Sequence, residues 1–164
     1  MANGETLETK SMKPLVGNMP IFTIMAELEP IMNLGATPYG ERRIIGILGG
    51  TVQGARLNGK VLPGGADWQI IRADGAADIK ARYTLETETG GRIMVDSEGL
   101  RHGPPDVLAA LARGDNVNPA LYYFRTVMRF ETSDPEASWL NRILALARGK
   151  REARAVRLDV FAVE

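Results

Sequence analysis

Two charged residues stand next to aromatic residues in the segment LPGGADWQIIRADGAADIKARYTL. Asp67 precedes Trp68, Arg82 precedes Tyr83, and Asp74-Gly75 separates the two pairs. A carboxylate can act as a general base, and a guanidinium group or a tyrosine hydroxyl can stabilise an oxyanion. Asp67 and Arg82 are therefore the candidate catalytic residues. Trp68 and Tyr83 are the candidate ligand-binding residues beside them.

A second cluster of polar and aromatic residues lies in LYYFRTVMRF. Tyr122 and Tyr123 are adjacent, so in a strand they point to opposite faces and at least one ring faces inward. The segment is typical of one half of a packed core. A buried tyrosine hydroxyl and an arginine also suit the binding of a carbonyl or carboxylate group, which makes Tyr122 and Arg125 candidate ligand-binding residues.

The familiar catalytic and cofactor motifs are missing. His102 is the only histidine and the chain has no cysteine, so the sequence predicts no metal site and offers a serine triad only this one base. His102 lies in RHGPP, where we expect a loop histidine that caps a carbonyl or lies at the surface. GGTVQG has neither the spacing nor the following helix of a nucleotide-binding loop, and its glycines suit strand bends. We expect no cofactor.

Composition excludes several classes of protein. Twenty basic and twenty acidic residues balance each other, so no net charge attracts nucleic acid or an anionic membrane surface. The first residues lack the apolar core of a signal peptide and no long apolar run follows, which predicts a cytoplasmic protein. Residues 1–12 are polar and non-periodic and predict a flexible tail, and residues 13–164 predict a single domain.

The elements that must position these residues are mostly strands. Short runs rich in β-branched residues alternate with glycine turns, at Asn58-Gly59, at Asp74-Gly75 and around Gly90. Two short helices are predicted late in the chain, in PPDVLAALARG and from Ser133 to Gly149, where Ser133 begins a capping box. A consecutive meander of strands predicts an all-β fold, an antiparallel meander closed into a β-barrel.

Turn geometry predicts the register of the central hairpins. A two-residue loop at Asp74-Gly75 places Asp67 opposite Arg82 as a cross-strand ion pair and Trp68 opposite Ala81. A three-residue loop at residues 89–91 places Arg82 opposite Glu98 in the next strand. The resulting ribbon has one charged face and one apolar face that includes Trp68 and Tyr83.

The alternation allows two orientations of this ribbon. In one, the apolar face packs in the core and the charged face meets solvent, as in most antiparallel sheets. In the other, the charged face lines the barrel lumen and the apolar face packs under a helix or against a second subunit. In an intermediate arrangement, residues near a barrel mouth reach its entrance from either face.

An ordered series of motifs extends along the chain: RRIIGILGGTVQGARLNGKVLPGGADWQIIRADG, DIKARYTLETETGGRIMV, GLRHG, YYFRT, RFET and WLNRILALARGKR. Over residues 21–163 the chain resembles a family of small, uncharacterised bacterial and fungal proteins. The resemblance implies an antiparallel barrel with a lipocalin-like or allene-oxide-cyclase-like outline, and no agreed activity. Gly46 and Leu48 depart from the proline and threonine expected at their positions. The residues that match the most recognisable motif positions are Asp67, Trp68, Arg82, Tyr83, Tyr122 and Arg125.

Three functions fit this pattern. In the first hypothesis, the barrel binds a small apolar or aromatic metabolite that carries an oxygen function. The aromatic residues contact this ligand, and Arg82 or Arg125 anchors it. Alternatively it is a cofactor-independent isomerase, cyclase or lyase in which Asp67 is the base and Arg82 or a tyrosine stabilises an enolate-like oxyanion. A third hypothesis is an interaction domain whose exposed apolar strand face forms a homodimer or larger homo-oligomer.

Overall fold

The structure is a computed structural model that describes residues 14–164. The strands are β1 (Phe22–Leu28), β2 (Met32–Thr37), β3 (Gly40–Gln53), β4 (Gly59–Val61), β5 (Ala66–Ile71), β6 (Ala77–Thr87), β7 (Arg92–His102), β8 (Tyr123–Thr132), β9 (Leu144–Arg151) and β10 (Ala155–Val163). One α-helix, α1 (Pro105–Ala112), and two 3-10 helices (Pro119–Leu121 and Ser138–Arg142) lie between strands. The predicted tail at residues 1–12 lies outside the described residues.

The strands close into an antiparallel β-barrel, which confirms the predicted fold class. Strands β6 to β10 pair consecutively, and β10 pairs with β1 to complete the ring. The long strand β3 pairs with β1 and β2 along one edge and with β4 and β5 along the other. Counted around its circumference, the barrel is therefore eight strands wide.

Apolar side chains fill one end of the barrel. Phe22 packs edge-on against Phe130, with ring centroids 5.8 Å apart. Leu140, from the second 3-10 helix, is fully buried in the same core together with Leu85 and Ile93. Burial of this apolar surface stabilises the closed barrel, and the polar residues of the lumen lie toward the opposite end.

The prediction of a second helix, from Ser133 to Gly149, is wrong. The chain forms only a 3-10 helix at Ser138–Arg142 and then continues as strand β9. The run ILALARG fits a helical period and a period of two, and barrel closure requires a strand between β8 and β10. In that strand Ala145, Ala147 and Gly149 point inward. The first predicted helix is confirmed as α1, and none of the helices in residues 14–164 has the length and apolar character needed to span a bilayer.

The loop between β6 and β7 has the predicted length of three residues but begins one residue earlier. Thr87 N–H donates to the Gly91 carbonyl at 2.8 Å, so the loop covers residues 88–90. Arg82 consequently lies opposite Asp96 instead of Glu98. This difference shifts the pairing by two residues and leaves both faces unchanged, because side chains alternate with a period of two. Tyr83 therefore faces inward and Arg82 faces outward.

Candidate functional site

A three-residue loop joins β5 to β6, one residue longer than predicted. The N–H of Arg72 donates to the Ala76 carbonyl at 2.8 Å, and the N–H of Gly75 donates to the Arg72 carbonyl at 3.0 Å. Gly75 has a φ of 85°, which glycine adopts without steric cost. The Asp74 carboxylate accepts from the Ala76 N–H at 3.1 Å and lies 2.6 Å from Arg72 Nη2. The sequence Asp74-Gly75 is compatible with a two-residue and with a three-residue loop, and these contacts favour the three-residue loop.

The longer loop moves β5 by one residue relative to β6. Asp67 lies opposite Ala81, and the predicted ion pair between Asp67 and Arg82 is therefore wrong. A shift of one residue turns every side chain of a strand to the other face of the sheet. Asp67 and Gln69 consequently face the lumen, whereas Trp68 faces outward.

Three of the predicted site residues lie on the outer wall. Arg82 forms an ion pair with Asp96, with Nη2 2.9 Å from the carboxylate. Trp68 is 49% exposed. The guanidinium group of Arg125 lies 5.4 Å from the centre of the Tyr123 ring, also on the outside. The structure thus does not bring Arg82, Trp68 or Arg125 to the lumen, and the homodimer that an apolar outer face would serve stays a prediction.

The two tyrosines among the predicted site residues, Tyr83 and Tyr122, are buried inside the barrel. The hydroxyl of Tyr122 accepts a hydrogen bond from the Arg151 backbone N–H at 2.9 Å, so this ring is tied to the barrel wall. Tyr83 lines the lumen, and its hydroxyl has no hydrogen-bond partner within residues 14–164. Tyr83 and Asp67 are therefore the predicted residues that the fold brings together.

His102 lies at the end of β7, where its exposed imidazole stacks on Tyr123 with ring centroids 4.9 Å apart. The surface location agrees with the prediction, whereas the predicted loop is wrong because His102 is the last residue of strand β7. In the part of the chain that the structure describes, no three histidine or carboxylate side chains are grouped so that they could hold a metal ion.

Polar side chains from four strands meet in the lumen around a cavity of about 50 Å³. They are Asp67 and Gln69 of β5, Tyr83 of β6, Ser97 of β7 and Thr126 of β8. Gln69 Oε1, the Tyr83 hydroxyl and Thr126 Oγ1 are buried, and each lacks a partner among the described residues. Because nearly all buried polar atoms in proteins are hydrogen-bonded, we expect a bound water or ligand to pair with these three.

The carboxylate of Asp67 is held by two hydrogen bonds within the protein. Gln69 Nε2 donates to Oδ2 at 2.7 Å, and the Lys80 backbone N–H donates to Oδ1 at 3.1 Å. Burial raises the pKa of Asp67, although these two bonds and the positive charges of Arg101 and Arg151 oppose the increase. A raised pKa brings a carboxyl group closer to the range in which it can both accept and donate a proton.

The hydroxyl of Tyr83 stays protonated under ordinary conditions. Burial, and then the negative charge of Asp67, raise the pKa of Tyr83 well above its usual value. A neutral phenol in this position can donate a hydrogen bond to a ligand oxygen.

Arg101 and Arg151 lie at the open end of the lumen and are not among the predicted site residues. Both line the cavity together with Asp67. Burial lowers the pKa of each guanidinium group, and the neighbouring charge of Arg151 lowers the pKa of Arg101 further. Their sequence signal is positional. Arg101 is the penultimate residue of β7 and Arg151 the last residue of β9, within the motifs GLRHG and WLNRILALARGKR, and alternate residues of both strands face inward. Identifying that inward face required the barrel register.

A wider cleft of about 1040 Å³ adjoins this end of the barrel. Helix α1 forms one of its walls through Leu108 and Leu111. Arg101, Arg151 and Leu28 line both the cleft and the inner cavity. A ligand can therefore enter through the cleft and place a small group among the polar residues of the lumen.

Comparison with known proteins identifies the relatives of this chain. The profile of a family described as "Protein of unknown function (DUF3237)" matches residues 18–163. A UPF0311 protein of Bradyrhizobium diazoefficiens is 43% identical over 152 residues, which cover 93% of this chain and 99% of that relative.

Solved structures show the same fold. A Rhodopseudomonas palustris protein of unknown function matches with a TM-score of 0.85 and 40% identity, covering 93% of this chain and all 100% of that one. A protein of Acinetobacter baumannii AYE described as beta-barrel like matches with a TM-score of 0.80 and 40% identity, covering 94% and 100%. The chain thus belongs to the DUF3237 family of proteins of unknown function, together with bacterial UPF0311 proteins.

Proposed function

We propose that the barrel binds a small metabolite with an apolar or aromatic body and an oxygen function, which enters the lumen between β5, β6 and β8. One observation carries this proposal. Gln69 Oε1, the Tyr83 hydroxyl and Thr126 Oγ1 surround one cavity, are buried, and lack a partner among the described residues. Burying a polar atom without a hydrogen bond costs about 1–3 kcal/mol, and a ligand that supplies the missing partners removes that cost.

The walls of the cavity support an apolar ligand body. Ile47, Ile79, Phe124 and Leu158 line it beside the polar groups. The cavity of about 50 Å³ has room for only a small part of a metabolite. The remainder therefore extends past Arg101 and Arg151 into the cleft.

Two neutral probes test this proposal, phenol and 2-tetralone, each titrated into isotope-labelled protein and followed by amide NMR. We expect the largest shifts at β5, β6 and β8. Tyr83→Phe should weaken binding of both probes about 3- to 10-fold, because one hydrogen bond is worth about 0.5–1.5 kcal/mol. Trp68→Phe changes a matched aromatic residue on the outer wall and should leave both affinities unchanged. Shifts confined to the outer wall, or equal affinity of the Tyr83→Phe variant, would overturn the proposal.

We propose proton transfer by Asp67 as a second candidate function. Its carboxylate has a raised pKa, faces the cavity and lies beside the Tyr83 hydroxyl. In this reaction the C–H bond next to a ligand carbonyl breaks and its proton moves to the Asp67 carboxylate. The electron pair of that bond moves to the carbonyl oxygen as an enolate, which the Tyr83 hydroxyl stabilises by a hydrogen bond.

Exchange of the α-hydrogens of 2-tetralone for deuterium in D₂O tests this second function. We expect the protein to accelerate the exchange above the buffer rate. Asp67→Asn should return the rate to that of buffer while it changes the dissociation constant of 2-tetralone by less than about twofold, since an amide keeps the side-chain shape. Exchange at the same rate with the Asp67→Asn variant would rule out Asp67 as the base.

A further inference from the structure

We propose that the ligand is an organic carboxylate whose anionic group lies between the guanidinium groups of Arg101 and Arg151. This inference rests on the proposed binding function and specifies its substrate class. In this arrangement the carboxylate lies at the open end of the lumen, and the oxygenated part of the ligand points toward Asp67 and Tyr83.

The guanidinium group of Arg101 is not paired with any polar group among the described residues. None of its five N–H groups has a hydrogen-bond acceptor in residues 14–164, and no carboxylate there lies within 4.0 Å of it. Its guanidinium carbon lies 5.7 Å from the centre of the Phe124 ring, which lines the same cavity. A partly buried guanidinium group without a carboxylate or an acceptor is a ready site for an anion.

Arg151 is fixed in place by part of its side chain. Its Nη1 donates to the carbonyl of Glu152 and, at 3.0 Å, to the carbonyl of Ala155, across the turn between β9 and β10. Within the described residues, Nε and Nη2 have no acceptor. The hydrogen bonds of Nη1 therefore orient this guanidinium group and leave Nε and Nη2 available for a ligand. Because the group is already oriented, less side-chain entropy is lost when a ligand binds.

Three other arginines line the cleft, Arg43, Arg113 and Arg154, and none of them lines the inner cavity. Arg43 lies 3.5 Å from the carboxylate of Glu41, and Arg113 lies 2.9 Å from that of Asp115. Acidic neighbours therefore partly neutralise these two groups, whereas Arg101 and Arg151 have none within 4.0 Å among residues 14–164.

The charges inside the barrel favour a ligand with one negative charge. Arg101 and Arg151 repel each other, and Asp67 is the carboxylate whose charge acts on both. Two guanidinium groups and one carboxylate leave one positive charge uncompensated. A ligand carboxylate neutralises that charge and accepts hydrogen bonds from the free nitrogens, and such charge-assisted bonds are about twice as strong as neutral ones.

A pair of near-isosteric probes separates charge from shape. Phenylacetate and phenylacetamide have the same body, and only the first carries a negative charge. By isothermal titration calorimetry we expect the wild-type protein to bind phenylacetate at least about tenfold more tightly than phenylacetamide. Arg101→Gln should reduce this preference to about twofold or less. Arg101→Lys should keep part of it because the charge remains.

Arg82→Gln is the matched control, because Arg82 lies on the outer wall and faces Asp96. This variant should keep the full preference for phenylacetate. The side chain of Arg101 makes no hydrogen bond within residues 14–164, so Arg101→Gln should fold, and its circular dichroism spectrum checks this.

The outcomes separate this inference from the function on which it rests. Equal affinity for phenylacetate and phenylacetamide, or an unchanged preference in Arg101→Gln, overturns the carboxylate proposal. If phenol and 2-tetralone still shift the lumen signals, the binding function survives that result. If neither the neutral nor the charged probes affect the lumen, both proposals fail.

Discussion

Gln69 donates a 2.7 Å hydrogen bond from Nε2 to Oδ2 of Asp67, two residues earlier on the same inward face of β5. This contact orients the Asp67 carboxylate and uses one polar group of the Gln69 amide. The other group, Oε1, is buried and has no partner among the described residues. The pair therefore presents a fixed carboxylate and a free acceptor to the same cavity.

The stability of the protein should depend on the ionisation of Asp67. Burial raises its pKa in the folded state, so the folded protein binds this proton more tightly than the unfolded chain does. The stabilisation from that proton is complete below the unfolded pKa and is lost as the pH rises through the folded pKa. Asp67→Asn removes the titration. We expect its melting temperature, relative to wild type, to increase as the pH rises above the unfolded pKa and to level off once the pH exceeds the folded pKa.

Asp74→Asn is the control for this measurement. Hydrogen bonds from Arg72 and from the Ala76 N–H lower the pKa of Asp74 to about 2. Stability linked to Asp74 is present above the unfolded pKa and is lost only as the pH falls toward 2. The difference between this variant and wild type should therefore stay constant from pH 5 to pH 8. A constant difference for Asp67→Asn as well would show that its pKa is not raised.

Two tyrosine variants should differ in their effect on stability. Tyr122→Phe removes the acceptor of the Arg151 N–H bond, and the loss should lower the free energy of unfolding by about 1–3 kcal/mol. Tyr83→Phe removes a buried hydroxyl without a partner in the described chain, and should leave stability unchanged or raise it by about 1 kcal/mol. Urea denaturation measures both. A large loss in Tyr83→Phe would indicate that its hydroxyl already has a partner.

A double-mutant cycle tests the register of the barrel directly. Arg82 and Asp96 are cross-strand partners on the outer wall, where Arg82 Nη2 lies 2.9 Å from Asp96 Oδ2. We expect a coupling energy of about 0.2–1 kcal/mol between Arg82→Ala and Asp96→Ala, typical of an exposed pair. The cycle of Arg82→Ala with Asp67→Ala should give no coupling beyond about 0.5 kcal/mol. Stronger coupling of Arg82 to Asp67 than to Asp96 would support the register of a two-residue loop between β5 and β6.

The inward face of β9 should tolerate no larger side chain at Gly149. A Cβ atom there would lie 2.5 Å from the Phe124 ring, which packs over the glycine. Gly149→Ala should displace this ring and lower the free energy of unfolding by about 1–3 kcal/mol. At Gly17 the nearest atom to an added Cβ is at 3.7 Å, so Gly17→Ala should change stability by less than about 0.5 kcal/mol. Equal effects of the two variants would contradict the packing of Phe124 on β9.

A period of two in the sequence predicts which side chains of β6 and β7 share a face, and the structure decides which of the two faces is inside the barrel. Tyr83 and Leu85 alternate with charged or polar residues, Ile93 and Val95 lie on either side of the exposed Met94, and all four are buried. This prediction survives a misplaced β6–β7 loop, because a shift of two residues does not change the face. The local sequence therefore places Tyr83 on the apolar face, and closure of the barrel decides that this face is buried.

The position of Asp67 depends on information that the alternation does not contain. A loop of two or of three residues fits Asp74-Gly75, and the choice decides whether Asp67 or Trp68 enters the lumen. The strand β9 is a similar case, since its residues suit a helix until closure of the barrel demands a strand.

The sequence by itself determined an all-β meander, the approximate positions of its turns, its family and the apolar face that contains Tyr83, because these follow from local alternation and from ordered motifs. Only the tertiary structure decided that Asp67 shares a lumen with Arg101 and Arg151 and that Arg82 does not. These three residues belong to β5, β7 and β9, which are distant in the sequence. They meet because ring closure and a one-residue register shift place their side chains on the same side of the barrel wall.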